Sequence, residues 1–249
     1  MNDPSMQGLD ALVAKVAEHY PEADRMPLVR SFEMLGEQRS AERLRHALDT
    51  AMVLAGMRLD PPTVAACLVA PLAGELPRGR IEEFFGKEVG ALVDGVVRLQ
   101  QIRWDRLEEE AAETLRKMFL AMAAEVRVVI IVLALRVQRM RAVQEESSVN
   151  ERQRLARETL QVFAPLANRL GIWQFKSQLE DLSLRQLDPE TFDELEKLLH
   201  ERRQGRTRLI HQAIAILDEK LPEQGIEATV SGRAKHLYSI YKKMQRKRV

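Results

Sequence analysis

Between Arg127 and Arg136 lie eight consecutive apolar residues, VVIIVLAL, Val128–Leu135. A helix that crosses a bilayer needs about 20 such residues, so this run is far too short to span one. Helical patterning continues on both sides, which favours a buried helix over a buried strand. Such a segment requires neighbours that cover it on every side. The chain can supply them: of its 249 residues 45% are hydrophobic and 30% charged, the make-up of a soluble globular protein with a sizeable core. Few aromatics and many Ala, Leu, Arg and Glu favour helices for the remainder. The net charge of +1 gives no global bias toward nucleic acid, so local charge has to carry any such argument. The single cysteine, Cys67, allows no disulfide framework and no cysteine-based zinc site within the chain, and suits a reducing cytoplasm. The N-terminus, MNDPSMQGLDALVAKVAEHY, lacks a basic region followed by an apolar run and does not read as a signal peptide. No membrane association is expected.

Proline and glycine punctuate the rest. Leu9–His19 reads as a short helix broken by Pro21, and a second helical stretch runs from Leu28 to about Met57. Asp60 before Pro61 and Pro62 predicts an Asp-capped helix start. Pro71, Gly74, Pro77 and Gly79 predict a loop. RIEEFFGKEVGALVDGVVRLQ predicts a helix with a break at Gly86, and residues 106–122 and 124–143 predict two more helices or one long bent one. After the polar loop EESSVNERQ a helix is expected over Gln153–Asn168, kinked at Pro165. In NRLGIW, Gly171 reads as a C-cap glycine. Trp173–Leu187 reads as a further helix. A long charged one follows from Pro189 to about Leu221, acid first and base later, as the helix dipole favours. At Pro222 the texture changes. GIEATVSGR alternates apolar and polar residues and reads as the first strand of an otherwise helical chain. A basic helix, roughly His236–Lys247, completes the pattern. A boundary near residues 195–205 gives a first domain over 1–200 and a second over 201–249.

Candidate chemistry is sparse. The histidines His19, His46, His200, His211 and His236 include no i, i+4 pair, and none adjoins an Asp, so each reads as a lone polar residue. Cys67 sits in the apolar stretch AACLVA and reads as an inert buried thiol. No G-x-S-x-G, Walker lysine loop or G-x-G-x-x-G occurs. WDRLEEEAAE, Trp104–Glu113, places several carboxylates on one helix face, most simply a solvated one. The C-terminal stretch is the best chemical signal. If Lys235–Lys247 is helical, Lys235, Ser239, Lys242 and Arg246 fall near one face, and Leu237, Ile240 and Met244 near the opposite one. A basic face with a hydroxyl and tyrosines suits phosphates and bases. A solvated basic tail, a nucleotide site and an RNA-contacting patch all remain open on this ground alone.

VSGRAKHLYSIYKKMQRK, Val230–Lys247, resembles the start of the nucleotidyl-transferring synthetase domain of the long RelA/SpoT homologues, which make and hydrolyse the alarmone ppGpp. RETLQVFAPLANRLGIWQFKSQLEDLSLRQLDPE, Arg157–Glu190, resembles the linker region of the same family. FFGKEVGALVDGVVRL, Phe84–Leu99, and the stretch Glu113–Val143 extend the likeness, which covers nearly the whole chain from about residue 25. The resemblance implies an all-α, multi-helix hydrolase domain of the histidine–aspartate type, with linker helices over 151–200. The first strand and helix of an α/β synthetase domain would follow. In active members the hydrolase uses manganese to remove pyrophosphate from ppGpp. His46 stands where the first metal histidine would be. Ala70 and Pro71 replace the His-Asp dyad, and Gly74 and Glu75 replace a Glu-Asp pair. Leu135 replaces the later metal aspartate, and Arg139 the substrate-side Asn. Ala, Pro and Leu cannot ligate a hard cation, so no metal site and no catalytic residue are expected here, and the hydrolase centre is expected to be dead. That degeneracy points to the RelA-type, synthesis-only branch, a GTP pyrophosphokinase.

For the synthetase, the resemblance assigns ATP contacts to Arg233, Lys235, Ser239 and Lys243, with Arg233 bordering the adenine and the others on phosphates. The magnesium ligand, the GTP-side tyrosine and the catalytic glutamate of the family lie downstream of Val249. The chain is therefore expected to be an N-terminal portion, inactive alone and structural or regulatory. Full-length relatives would use Mg2+, ATP and GDP or GTP, and would meet ribosome and tRNA through C-terminal domains. Self-association as a homo-oligomer stays open. Two rival readings remain: an active ppGpp hydrolase with unusual ligands, and a non-enzymatic RNA- or nucleotide-binding module.

Overall fold

The apolar run Val128–Leu135 lies inside one helix, Val126–Glu146, and Val128, Val129, Ile131, Val132, Leu133 and Ala134 are all buried. The computed structural model describes residues 4–38, 41–74, 76, 78–101, 125–146, 148–201 and 203–247. Over them the chain is all-α, as the sequence leads one to expect. The helices are α1 (Pro4–Ala17), α2 (Met26–Gln38), α3 (Ala41–Gly56), α4 (Pro61–Val69), α5 (Arg78–Phe85), α6 (Lys87–Gln100) and α7 (Val126–Glu146). They continue as α8 (Val149–Glu158), α9 (Ala164–Arg169), α10 (Trp173–Leu187), α11 (Pro189–Glu201), α12 (Arg203–Glu223) and α13 (Leu237–Lys247). A 3-10 turn, Ala70–Leu72, extends α4, and a π turn, Thr159–Phe163, joins α8 to α9. The helix expected over 106–122 and the acidic stretch Trp104–Glu113 lie outside the described residues, as does Glu75. No described helix is long and apolar enough to cross a membrane. The chain divides into two compact units, Met1–Leu179 and Glu180–Val249.

In the first unit α4 and α7 form the centre. Every residue of α4 from Thr63 to Val69 is buried, and a helix apolar on all sides has to be interior. Burial pushes the Cys67 thiol up to about 12, which leaves it protonated and inert. Both α3 and α6 touch α4 and α7, and α2 touches α4. The approach of α6 to α7 is close. A Cβ placed on Gly95 would lie 2.8 Å from Val128 Cγ2, so only glycine fits there without a shift.

Asp60 sits at the N-cap of α4 with extended backbone, but its side chain makes no capping hydrogen bond. Instead Oδ1 accepts from Thr63 Oγ1 at 2.6 Å and Oδ2 pairs with Arg127 Nη1 at 2.7 Å. Arg127 also meets Glu88 Oε1 at 2.7 Å and Glu125 Oε2 at 2.8 Å, so one guanidinium ties the starts of α4, α6 and α7. A buried-side charge partner claimed the carboxylate, which capping statistics cannot foresee.

The helix expected over Gln153–Asn168 is real but interrupted. The π turn falls just before Pro165, whose ring would otherwise press on the carbonyl four residues back. Gly171 takes φ +72°, and the Ile172 N–H donates to Ala167 O at 2.9 Å, the six-to-one bond of a Schellman cap.

In the second unit Ser183, Leu184, Phe192 and Leu195 are buried, and the Arg185 guanidinium lies 5.6 Å over the Phe192 ring. The α12 helix continues through Pro222 to Glu223. The strand expected in Gly225–Arg233 is absent: residues 226–236 carry no regular structure, and no strand is assigned among the described residues. The alternating pattern is present, yet a strand needs a neighbour to take its N–H and C=O groups.

Candidate functional site

The positions that the resemblance assigns to a metal centre lie on α3, on the turn after α4 and on α7; α3 and α7 touch each other, and both touch α4. His46 is half-buried on α3, and its carbonyl accepts from Thr50 Oγ1 at 2.8 Å. Ala70 is buried, Pro71 half-buried and Gly74 exposed. Leu135 is buried on α7 and Arg139, one turn on, is exposed. The fit to manganese fails on the donors: beside one imidazole, the Ala, Pro and Leu side chains at the other positions have no ligand atom to give. Among the described residues no group of three or more His, Cys, Asp or Glu is arranged to hold a metal ion.

Of these positions the fold brings Leu135 and Arg139 together. They line one cavity of about 220 Å³ with Leu99, Val132, Arg136 and Phe163. His46, Ala70 and Pro71 are not part of its lining. Its wall is four apolar residues, two arginines and Gln100, and with no His, Asp or Glu in it nothing there can take a proton from water.

Arg136 is the residue that sequence reasoning passed over, marking it only as a flank of the apolar run. It is 7% exposed and engaged through Nε and Nη2. Nε donates to Thr159 Oγ1 at 2.8 Å, and Nη2 donates to Leu155 O at 3.0 Å and meets Glu158 Oε2 at 3.2 Å. Its guanidinium lies 4.3 Å over the Phe163 ring. Burial lowers its pKa to about 10, against the pull of Glu158, so it stays charged at neutral pH. The π turn supplies both Thr159 and Phe163.

The second unit holds the phosphate-type residues. Arg233 and Lys235 are exposed in the segment before α13. Ser239 and Lys243 are one turn apart on α13, the first half-buried and the second exposed. Lys235 lines an open cleft of about 560 Å³ with Asp181, Glu196, His200 and His236. The Lys242 ammonium lies 5.7 Å over the Tyr238 ring, which stacks on Tyr241 at 5.9 Å. That cation thus packs on the aromatic ring one turn back along the helix.

Three residues beneath α13 went unassigned in the sequence: Glu180, Asp181 and His236. Glu180 Oε2 lies 2.7 Å from His236 Nε2, Ser239 Oγ approaches the same ring, and Asp181 Oδ1 accepts the Tyr238 N–H at 2.8 Å. Burial raises the Asp181 carboxyl above its ordinary value, against the Tyr238 N–H and the His236 charge. The signal available was the LED triplet within a long family-like stretch, but nothing local names its partner 56 residues on.

The sequence matches the family model described as HD domain over residues 29–173. It is 39% identical over 207 residues to a GTP pyrophosphokinase of Myxococcus xanthus, covering 81% of this chain and 27% of that protein. It is 38% identical over 213 residues to the bifunctional (p)ppGpp synthase/hydrolase SpoT of Escherichia coli K12, covering 84% and 30%. A probable GTP pyrophosphokinase of Mycobacterium leprae is 38% identical over 246 residues, covering 95% and 31%. The chain thus spans about a third or less of the length of these relatives.

Proposed function

This chain belongs to the HD-domain family, and from that premise we propose that it is the N-terminal part of a RelA-like protein of (p)ppGpp metabolism whose hydrolase centre does not work. The relatives carry synthase and hydrolase names alike, so the choice rests on this chain's own residues. The observation that carries it is the donor set. A cation that activates water needs oxygen or nitrogen ligands, and Ala70, Pro71 and Leu135 offer none beside His46. The cavity that Leu135 lines is walled by apolar groups, Gln100 and two arginines, which can steady an anion but not deprotonate water.

The synthesis-only branch is then the better fit. Its reaction moves pyrophosphate from ATP to the 3′-hydroxyl of GDP or GTP with magnesium, and depends on positioning and charge neutralisation. In this reading Arg233, Lys235, Ser239 and Lys243 serve the ATP side. The cations neutralise phosphate oxygens and the serine hydroxyl donates a hydrogen bond. Groups that would activate the acceptor hydroxyl are assigned to none of these residues, so the 249 residues alone are expected to make no ppGpp. The first unit then serves a structural or regulatory purpose.

The test is direct. The purified chain is incubated with ppGpp and manganese, and separately with ATP, GDP and magnesium, and nucleotides are resolved by anion-exchange chromatography. Neither reaction is expected above the protein-free background. Hydrolysis accompanied by stoichiometric manganese would overturn the loss of the hydrolase, and ppGpp formation would overturn the division of the synthetase.

A further inference from the structure

The start of α13 rests on a junction that the nucleotide reading leaves unused. A helix exposes four unbonded N–H groups at its first turn, and the residue before α13 is His236, which is not one of the short oxygen-bearing side chains that cap well. The cap comes from another helix. Asp181 of α10 accepts the Tyr238 N–H at 2.8 Å, with the Leu237 N–H also directed at its carboxylate. The neighbouring Glu180 holds His236 at 2.7 Å, and these two side chains are only 12% and 15% exposed. Ser239 Oγ lies 3.3 Å from His236 Nδ1 and 3.1 Å from Nε2. No residue of α13 is fully buried, and Leu237, Ile240 and Met244 are half-buried, so its polar first turn adds to a modest apolar contact.

We propose that Glu180 and Asp181 are positioning residues for a triphosphate site on α13. Asp181 fixes the helix start by capping it from α10. Glu180 holds the His236 ring, and the ring orients the Ser239 hydroxyl. Lys235 precedes this turn and Lys243 follows it on the same helix, so the spacing of all three phosphate-facing groups depends on a carboxylate pair that touches no ligand. The inference rests on the ATP-side reading of Lys235, Ser239 and Lys243.

The experiment uses the full 249-residue chain with MgATP as the probe, read by calorimetry, and hydrogen exchange at Leu237–Ile240 as a ligand-free readout. Asp181→Ala and Glu180→Ala remove the acceptors, whereas Asp181→Asn and Glu180→Gln keep one. The alanine variants are expected to weaken MgATP binding about five- to tenfold, the scale of a lost cap. Asp181→Ala should speed exchange at Leu237 and Tyr238 by a similar factor. The amide variants should stay within about twofold on both readouts. Lys235→Ala should weaken MgATP binding without changing exchange, which separates contact from positioning. Unchanged exchange in Asp181→Ala, or equal losses in alanine and amide variants, overturns the proposal. A wild-type chain that shows normal exchange protection but binds no MgATP instead overturns the nucleotide reading on which it stands.

Discussion

Single residues carry most of the departure from what the sequence suggests, because their partners are remote. Arg136 borders an apolar run, and nothing local marks it as interior. It is buried because Thr159, Leu155 and Glu158 arrive from 19 to 23 residues away and satisfy its donors. At Ala70, Pro71 and Leu135 the absence of a side-chain ligand atom is legible in the sequence itself. Asp181 gives the clearest residue-level prediction. Its carboxyl is raised above the ordinary 3.8, first because burial penalises the charged form. The folded chain therefore keeps this proton at pH values where the unfolded chain has released it. Asp181's contribution to stability is fullest below 3.8 and declines as pH rises from there through the raised folded value. Asp181→Asn keeps an oxygen for the Tyr238 N–H and removes the titration. Urea unfolding followed from pH 3 to pH 7 should show variant and wild type converging in acid, with the variant the more stable at neutrality. A wild type that gains on the variant as pH rises would contradict it.

Among the elements, helix type and many ends were readable because proline, glycine and the apolar period act locally. Trp173–Leu187 and the Gly171 cap are cases where local chemistry was sufficient. The strand in Gly225–Arg233 was misread for the opposite reason. Alternation describes which face a residue would take, but the hydrogen bonds that make a strand belong to a neighbour. The packing of α6 on α7 was also unreadable, since Gly95 looks like an ordinary weak spot in a helix. Alanine there should gain about 1 kcal/mol of helix propensity if space allowed. Space does not allow: the new Cβ would meet Val128 Cγ2 at 2.8 Å and Cγ1 at 3.2 Å. Overpacking of this kind costs about 1–3 kcal/mol, so Gly95→Ala should be destabilising on balance. Combining it with Val128→Ala should cost less than the sum of the two single changes, as expected of residues in contact. Chemical denaturation of the four proteins measures this, and strict additivity would remove the close approach as the cause.

At the scale of the molecule, we propose that the first unit keeps the framework of a metal site without its ligands. The helices that carry His46 and Leu135 touch each other and α4, which runs on into the turn holding Ala70 and Pro71, and α4 and α7 are the buried centre around which the unit is built. Apolar burial now holds that centre, so manganese and chelators should leave the wild-type melting temperature unchanged. Restoring the donors as Ala70→His, Pro71→Asp and Leu135→Asp should reverse this. Ala70 and Leu135 are only 4% and 9% exposed, and unpaired charge at such positions costs several kcal/mol. The metal-free variant should therefore melt well below the wild type. A bound cation would offset the cost, and at 100 times its dissociation constant would return about 2.7 kcal/mol. Thermal unfolding by circular dichroism, with manganese and with EDTA, reads both effects. A wild type that melts lower in EDTA would show a surviving metal site. A folded triple variant indifferent to manganese would show that the scaffold has drifted as far as its side chains. A metal-dependent variant would locate the loss in three side chains rather than in the fold.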